Sequence, residues 1–342
     1  GDAATRRKTA CVTGGSGYIA SALVKMLLER GYAVKTTVRN PDDEEKTAHL
    51  KALAALGPLE VFRADLSEEG SFDHAVAGCD YAFLVAAPVY QLPKSRTASQ
   101  KDVIEPAVNG TLNVMRSCVR AGTVKRVVLT SSVAAVSSRP LEGDGHVLDE
   151  ESWSDVEFLR STKTGPWQAY SVSKVLVEKA TCAFAEEKGI SLVTVCPAVT
   201  VGEAPAANDL TSLSIILSLL SGDDAYTGAL EHIERATGSI PMVHIDDVCR
   251  AEIFVAEEEA ASGRYIVCGL NPTVVELARF LAAKYPQYKV NTHRFRDLPE
   301  KPRVCISSAK LVKEGFEYKY KNVEEIYDSV VEYGRALGIL PY

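Results

Sequence analysis

Short apolar runs alternate with amphipathic helical patterns through the first 200 residues of the chain. Apolar runs of four to eight residues are typical of buried strands, and longer segments with a 3.6-residue period are typical of helices. Strands are predicted at Thr9–Val12, Ala33–Val38, Leu59–Arg63, Tyr81–Val85, Arg126–Thr130 and Ser191–Cys196. Helices are predicted at Ser16–Arg30, Glu45–Leu56, Val103–Ala121 and Ala169–Lys188.

The pattern loosens after Pro197, where Gly, Pro and Asn become frequent. Loops are predicted around Gly202–Asp209 and Ser221–Gly228. One more strand is predicted at Arg264–Val267, and two more helices are predicted at Asp246–Ala256 and Val274–Lys284.

Strands that alternate with helices indicate a parallel sheet covered on both faces. The sequence therefore predicts an α/β fold, a Rossmann-type doubly wound parallel sheet with a smaller C-terminal part. A chain of 342 residues suits one large domain or two closely joined ones. We expect a nucleotide-binding domain at residues 1–200 and a mainly substrate-binding part at residues 201–342, with segment 240–268 packing back onto the first domain.

Composition limits the function classes. Hydrophobic residues make up 46% and charged residues 24%, as in ordinary globular proteins. The net charge of −7 leaves no excess of Lys or Arg to neutralise phosphates, so nucleic acid is not an expected partner. The polar N-terminus lacks a signal-peptide pattern, and no uninterrupted apolar run is long enough for a membrane span. The eight scattered cysteines show no metal-ligand spacing, so we expect a metal-free cytosolic protein with reduced thiols.

A glycine-rich turn joins the first predicted strand to the first predicted helix. Gly15-x-Gly17-x-x-Ala20 fits the dinucleotide-binding fingerprint. Such glycines permit a tight turn and close backbone approach, so that a pyrophosphate can lie on the helix N-terminus. The predicted cofactor contacts in this segment are Gly14, Gly15, Gly17, Tyr18 and Ile19.

The end of the second strand indicates the type of dinucleotide. NAD sites place an acidic residue there for the ribose hydroxyls, whereas this chain has Arg39 followed by Asn40. An arginine forms charge-assisted, often bidentate hydrogen bonds with a 2′-phosphate. Lys46 adds a second positive charge, and the acidic residues 42–45 suit a helix N-terminus. We therefore predict NADPH/NADP+ as the cofactor.

Other strand ends supply further cofactor contacts, because open parallel sheets bind ligands outside the carboxyl ends of their strands. Asp65 follows the third strand, where a carboxylate can reach the adenine ring. Small residues follow the fourth strand, where a ribose and a pyrophosphate would pass. The contacts predicted at strand ends are Asp65, Leu66, Val85, Ala86, Ala87 and Thr130.

A tyrosine and a lysine form the candidate catalytic pair. Tyr170 and Lys174 are four residues apart, which places them on one face of a helix. An ammonium beside a phenol stabilises the phenolate, so the phenol becomes a better proton donor. Ser132, just after the fifth strand, can donate a hydrogen bond to a substrate oxygen while Tyr170 relays a proton. Lys174 would also hold the nicotinamide ribose.

With these motifs, the chain resembles the extended short-chain dehydrogenase/reductases, and within them the plant dihydroflavonol reductase and anthocyanidin reductase group. The resemblance covers nearly the whole chain. The segments that carry it are Lys8–Ala20, Thr36–Pro41, Phe62–Leu66, Val127–Ser132, Tyr170–Lys174, His244–Ala251, Leu281–Pro286 and Leu311–Phe316.

The resemblance implies an NADPH-dependent reductase of a flavonoid. It assigns the catalytic roles to Ser132, Tyr170 and Lys174, and the 2′-phosphate contacts to Arg39 and Lys46. It also implies a nicotinamide-side loop that contains Pro197, Val199 and Thr200.

The sequence indicates less clearly which reductase of this group the chain resembles. Dihydroflavonol reductases carry an asparagine where this chain has Ser137, and the segment Ala261–Cys268 is more similar to anthocyanidin reductases. The segment Lys163–Tyr170 departs from the Pro-Pro-Thr-Trp-Gly-Tyr of anthocyanidin reductases, so a flavanone or dihydroflavonol 4-reductase is the alternative. Cinnamoyl-CoA reductase is disfavoured because its Asn-Trp-Tyr-Cys-Tyr-Gly-Lys signature is absent. A non-catalytic NADPH-binding protein would not need all three catalytic residues.

The substrate site is predicted from segments that flank the inferred cleft. A flat polyphenol prefers apolar and aromatic walls with a few polar anchors. The expected partner is a small flavonoid, together with a loose association with other flavonoid-pathway enzymes. His244 lacks a third metal ligand at suitable spacing, so a helix cap by Asp246 or Asp247 is the preferred interpretation. The predicted substrate contacts are Pro88, Val89, Ser132, Ser137, Trp167, Gln168, Ile216, Leu220 and Tyr226.

Overall fold

A parallel sheet forms the centre of the molecule. The computed structural model describes residues 6–86, 100–162, 166–206 and 209–342. In chain order, the strands of these residues are β1 (Thr9–Val12), β2 (Ala33–Val38), β3 (Leu59–Arg63), β4 (Tyr81–Leu84), β5 (Arg126–Thr130), β6 (His146–Leu148), β7 (Leu192–Pro197), β8 (Val199–Val201), β9 (Met242–His244), β10 (Gly263–Val267) and β11 (Val304–Ile306).

Seven of these strands form one sheet in the order β10-β7-β5-β4-β1-β2-β3, and every neighbouring pair is parallel. The chain builds outward from β1 to β3 and then returns to place β4 on the other side of β1. That reversal is a topological switch point, where a cleft opens outside the carboxyl ends of the strands. Two small parallel pairs, β6 with β11 and β8 with β9, complete the strands of the described residues.

Helices cover both faces of the sheet. In the described residues they are α1 (Tyr18–Glu29), α2 (Glu44–Leu53), α3 (Asp73–Val76), α4 (Gln100–Ala121), α5 (Val156–Ser161), α6 (Pro166–Lys188), α7 (Thr211–Ile216), α8 (Ser218–Ser221), α9 (Asp224–Thr237), α10 (Ile245–Glu257), α11 (Val274–Lys284), α12 (Ala309–Lys313) and α13 (Val323–Ala336). Short 3-10 helices lie at Ala54–Leu56, Val133–Ala135, Pro286–Tyr288 and Thr292–Phe295.

The alternation of side chains along the strands explains the two layers. Ala10 and Val12 of β1 belong to the core under α1 and α10, whereas Cys11 belongs to the core under α4 and α6. Val128 and Leu129 of β5 divide between the two cores in the same way. Successive strand residues point to opposite faces, so strands buried on both sides are apolar throughout.

A separate core lies in the C-terminal part. Leu230, Leu277 and Tyr327 have no exposed surface and pack together with apolar residues of α7, α8 and α13. The Tyr327 hydroxyl donates to the backbone oxygen of Ile216 at 2.9 Å, which ties α13 to α7.

The predicted strands and helices are confirmed, several of them with the same bounds. The strands Thr9–Val12, Ala33–Val38, Leu59–Arg63 and Arg126–Thr130 and the helix Val274–Lys284 are as predicted. The strand predicted to end at Val85 ends one residue earlier, and the helix predicted from Ala169 begins at Pro166.

Two predictions were wrong for local reasons. The loop predicted at Ser221–Gly228 contains the start of α9, because the Asp223 side chain caps that helix by accepting from the Tyr226 backbone N–H at 3.0 Å. The N-cap of α10 is His244 rather than an aspartate: its Nδ1 accepts from the Asp246 backbone N–H at 3.1 Å. The helix α13 was not predicted at all.

A pair of helix-ending glycines tests the packing beneath α9. Gly238 (φ +93°) ends α9 and Gly222 (φ +74°) ends α8, both in the left-handed region. A Cβ at Gly238 would lie 2.9 Å from the Val304 backbone nitrogen, whereas a Cβ at Gly222 would meet nothing within 4 Å. Both alanine variants pay a left-handed strain of about 1–2 kcal/mol. We expect Gly238→Ala to lower the free energy of unfolding in urea by about 1–3 kcal/mol more than Gly222→Ala; equal losses would contradict this packing.

Candidate active site

The glycine turn at the end of β1 fits closely against β2 and β4. Gly14 has φ +71°, and its N–H donates to the Thr37 Oγ1 at 2.9 Å. A Cβ at Gly14 would lie 2.9 Å from the Ala86 Cβ, and a Cβ at Gly15 would lie 2.4 Å from the Thr36 Oγ1. A side chain at either position would clash with the neighbouring strand ends, so the turn requires glycine there.

The N-terminus of α1 is arranged to receive an anion. Its N-cap is Gly17, which offers no side-chain cap, and its first turn contains no acidic residue. The neighbouring helix α2 differs, because Asp43 caps it and Glu44 and Glu45 lie in its first turn. The positive end of the α1 dipole therefore remains available at the switch point, which fits a dinucleotide pyrophosphate.

The end of β4 is held by a threonine that the sequence reasoning did not select. The Thr13 Oγ1 accepts hydrogen bonds from the backbone N–H groups of Val85 at 3.0 Å and Ala86 at 2.9 Å. Its position directly before the glycines was the available signal. Thr13 lines a cleft with Leu66, Ala86, Thr130, Ser173 and Lys174.

Two cationic side chains lie at the outer end of this region. Arg39 follows β2 and Lys46 lies early in α2, and both are exposed. Asp65 follows β3, and its carboxylate accepts from the Ser67 backbone N–H at 2.9 Å and hydroxyl at 2.7 Å. These hydrogen bonds, with the nearby charge of Arg39, lower the pKa of Asp65. Asp65 is therefore an ionised acceptor at neutral pH.

The three candidate catalytic residues come from two elements. Ser132 begins the 3-10 helix after β5, and its Oγ accepts from the Ala134 backbone N–H at 3.1 Å. A hydroxyl that accepts one hydrogen bond still has its O–H to donate. Tyr170 and Lys174 lie on α6, with the Lys174 Nζ 5.5 Å from the centre of the Tyr170 ring. All three side chains are partly exposed, as a reacting site requires.

The Thr130 hydroxyl is hydrogen-bonded to a buried carboxyl group of α10, which packs on the opposite face of the sheet from α4 and α6. This hydroxyl donates to the Glu252 Oε1 of α10 at 2.5 Å. Glu252 has no exposed surface, and burial raises the pKa of this carboxyl to about 8, so it is mostly protonated at neutral pH. Glu252 is not recognisable from the sequence, because it lies in an amphipathic helix 122 residues after Thr130.

The predicted nicotinamide-side loop lies beside β10. Pro197 ends β7, and the next residue, Ala198, donates its N–H to the Val267 backbone oxygen at 2.9 Å. Val199 is partly exposed, whereas Thr200 is buried and its hydroxyl donates to the Ala198 oxygen at 3.0 Å.

The predicted substrate contacts that lie among the described residues differ in their exposure. Ser137 is buried, and its hydroxyl donates to the Val133 backbone oxygen at 3.1 Å. Gln168 is buried on α6. Ile216 and Leu220 pack in the C-terminal core, whereas Tyr226 is exposed on α9. Ala87, Pro88 and Val89 and the side chain of Trp167 lie outside the described residues.

The contacts of His244 are those of a buried structural residue. Its Nε2 lies 2.8 Å from the Ser329 Oγ, and its ring stacks on Tyr320 with the ring centres 3.6 Å apart. Burial lowers the pKa of His244 to about 4. In the described ranges, no three His, Cys, Asp or Glu side chains are grouped so as to hold a metal ion. None of the helices in the described ranges has the length and apolarity to cross a membrane.

Comparison with known proteins agrees with this geometry. The model of the NAD dependent epimerase/dehydratase family matches residues 10–269. Anthocyanidin reductase ((2S)-flavan-3-ol-forming) of Vitis vinifera is 51% identical over 334 residues, which cover 98% of this chain and 97% of that protein. Dihydroflavonol 4-reductase of Arabidopsis thaliana is 41% identical over 339 residues, which cover 98% of this chain and 85% of that protein.

Two solved structures share the fold over nearly the whole chain. Vestitone reductase from alfalfa (Medicago sativa) superposes with a TM-score of 0.80 at 34% identity, covering 98% of this chain and 100% of that chain. Gre2 from Candida albicans in complex with NADPH superposes with a TM-score of 0.77 at 25% identity, covering 95% and 98%. The chain belongs to the NAD dependent epimerase/dehydratase family.

Proposed function

We propose that this protein is an NADPH-dependent flavonoid reductase of the anthocyanidin reductase type, which converts an anthocyanidin to a flavan-3-ol. The observation that carries the proposal is the cleft in which Lys174 of α6 lies with Thr130 of β5 and with Thr13, the residue before the glycine turn. Ser132 follows Thr130 by two residues, and the Tyr170 ring lies beside the Lys174 ammonium on α6. The Vitis vinifera anthocyanidin reductase, at 51% identity, supports the substrate class.

NADPH is the cofactor that the cationic groups favour. Arg39 replaces the acidic residue that an NAD site would place after β2, and Lys46 adds charge nearby. The glycine turn and the N-terminus of α1 would hold the pyrophosphate. Lys174 would hold the nicotinamide ribose, with Thr130, Val85 and the segment 197–200 around it. When bound, NADPH would supply a hydride: one hydride suffices for a C4 ketone, whereas conversion of an anthocyanidin to a flavan-3-ol takes two.

The chain's own residues would handle the proton and the substrate oxygen. Tyr170 donates a proton to an alkoxide that develops at a reduced carbonyl, and the ammonium of Lys174 stabilises the phenolate left behind. Ser132 donates a hydrogen bond to that carbonyl and polarises it. A flavylium cation is already electrophilic, so its reduction depends less on Ser132.

A flavanone or dihydroflavonol 4-reductase is the second candidate. It is supported by the Arabidopsis thaliana dihydroflavonol 4-reductase at 41% identity and by the unusual segment Lys163–Tyr170. Incubation with NADPH and, in parallel, cyanidin, dihydroquercetin and naringenin separates the two candidates. A flavan-3-ol from cyanidin supports the first, and a C4 alcohol from dihydroquercetin or naringenin supports the second.

Three further assignments accompany the proposal. Residues 201–342 mainly bind the substrate, consistent with a core of their own. The protein works in the cytosol, and it associates loosely with other enzymes of flavonoid synthesis. The substrate contacts among residues 88, 89, 137, 167, 168, 216, 220 and 226 stay predictions.

Removal of the phenol tests the proton donor. Tyr170→Phe keeps the ring but deletes the hydroxyl, so turnover at neutral pH should fall by about 100-fold or more. The affinity for NADPH, measured by fluorescence titration, should change by less than about twofold, since the phenol proton is used in the reaction and not in cofactor binding. Turnover equal to that of the unaltered protein would remove Tyr170 from this role.

Exchange of Arg39 tests the 2′-phosphate contact. Arg39→Ser removes charge-assisted hydrogen bonds worth about 1.5–3 kcal/mol, so the KM for NADPH should rise about 10- to 100-fold. The KM for NADH, which lacks the phosphate, should stay nearly constant. Arg30→Ser, an exposed arginine at the other end of α1, is the control and should alter neither value. Equal effects of Arg39→Ser on both cofactors would exclude this contact.

The oxygen-polarising role of Ser132 depends on the substrate. Ser132→Ala should lower kcat about 100- to 1,000-fold for a 4-keto flavonoid, as loss of an oxyanion donor does elsewhere. The loss with cyanidin should be at least about tenfold smaller, because the flavylium carbon needs no carbonyl polarisation. Steady-state rates with dihydroquercetin and cyanidin measure the difference, and identical losses would show that Ser132 has another role.

A further inference from the structure

An arginine on the edge strand β10 uses every donor that it has. The Arg264 Nε donates to the Glu178 Oε1 at 2.7 Å, and its Nη2 donates to the Glu178 Oε2 at 3.2 Å. The Nη1 donates to the backbone oxygens of Glu150 at 2.9 Å and Ser152 at 2.7 Å. The Nη2 also reaches the Ala135 backbone oxygen at 3.5 Å. A guanidinium has five N–H groups, so its donor capacity is fully used.

The pair is buried beside the candidate active site. The side chains of Arg264 and Glu178 are 9% and 0% exposed, and the guanidinium carbon lies 3.6 Å from the centre of the Trp153 ring. Two charges removed from water are tolerated only when their geometry and their remaining hydrogen bonds are good. The position of each group is therefore tightly constrained by the other.

Glu178 connects the pair to both catalytic elements. On α6 it lies one helical turn after Lys174 and two turns after Tyr170, on the same face. Its Oε2 accepts from the Ser131 hydroxyl at 3.0 Å, and Ser131 directly precedes Ser132. The Glu178 carboxylate thus connects α6, which carries Tyr170, to Ser131, the residue before Ser132.

The turn that carries Ser132 is held from its other side as well. The Ala135 backbone oxygen accepts from the Ser154 N–H at 2.8 Å, besides its contact with Arg264. The Ser154 hydroxyl donates to the Ala134 backbone oxygen at 2.6 Å. Arg264 itself fixes the segment before Ser154 through the Ser152 oxygen. The hydrogen bonds that hold the turn from both sides therefore depend on the Arg264 guanidinium.

We propose that Arg264 is a positioning residue for the reduction: with Glu178, it fixes the turn carrying Ser132 at a set distance from the Tyr170 and Lys174 side chains of α6. This inference rests on the proposed function. Arg264 touches no reacting atom, and it acts through Ser132. A displacement of about 1 Å at a reacting group can lower a rate about 100-fold, so such a support has a measurable effect.

The first test is Arg264→Lys, which keeps the charge but replaces the five-donor fork with three donors on a flexible stem. With a flavonoid on which Ser132→Ala lowers kcat at least tenfold, we expect Arg264→Lys to lower kcat at least fivefold, and by no more than Ser132→Ala lowers it. NADPH affinity should change less than twofold, because the glycine turn lies elsewhere on the sheet. Arg250→Lys, an arginine paired with the buried Asp247 on α10, is the matched control and should leave kcat unchanged.

The second test is a double-mutant cycle. If Arg264 acts through Ser132, then Arg264→Lys in the Ser132→Ala background should lower kcat less than twofold. A general loss of folded protein would instead lower kcat equally in both backgrounds. If Arg264→Lys does not fold, as judged by circular dichroism, the isosteric Glu178→Gln takes its place, with the same expected pattern.

The possible results distinguish a failure of the positioning role from a failure of the proposed function. If the unaltered protein reduces a flavonoid and Tyr170→Phe does not, but Arg264→Lys matches the unaltered protein, only the positioning role is overturned. Equal losses in both serine backgrounds also overturn it. If the unaltered protein reduces no flavonoid with NADPH, the proposed function fails and the inference falls with it.

Discussion

The structure depends on one constraint: seven parallel strands, of which the inner ones are buried on both faces, have their carboxyl ends on the same side of the sheet. Polar side chains buried against the faces are paired within the protein, as Arg264 is with Glu178. The polar groups that can meet a ligand therefore lie where the strands stop. The glycine turn follows β1, Val85 and Ala86 follow β4, and Ser132 closely follows β5. The reversal of strand order between β1 and β4 opens the edge at that point and leaves room for a long ligand.

Much of this arrangement is readable from the sequence, because its causes are local. A strand buried on both faces is apolar without interruption, which is why β1 and β5 have their predicted bounds. The glycine turn was recognisable from the spacing Gly15-x-Gly17-x-x-Ala20 directly after the first strand. The spacing of Tyr170 and Lys174 is likewise a property of one helix.

What the sequence did not reveal depends on individual hydrogen bonds, some with distant partners and some local. Thr130 resembles any strand end until Glu252 is folded against it, and the hydrogen bond of the buried Ser137 hydroxyl to the Val133 oxygen is equally invisible in the sequence. The start of α9 depends on a capping carboxylate, Asp223, in a segment whose glycines favour a loop. The periodicity of apolar residues along the chain does not record such hydrogen bonds, whether their partners are distant or local.

The separation of Arg264 and Glu178 along the chain has a consequence for folding during synthesis of the protein. The two residues are 86 positions apart, and β10 is the edge strand of the sheet beside β7. Domains fold from the N-terminus as synthesis proceeds at about 5–20 residues per second. For several seconds, therefore, a nascent chain would hold the Glu178 carboxylate without its counter-ion. The nucleotide-binding strands can assemble early on the ribosome, but the catalytic turn reaches its final support only when the edge strand emerges.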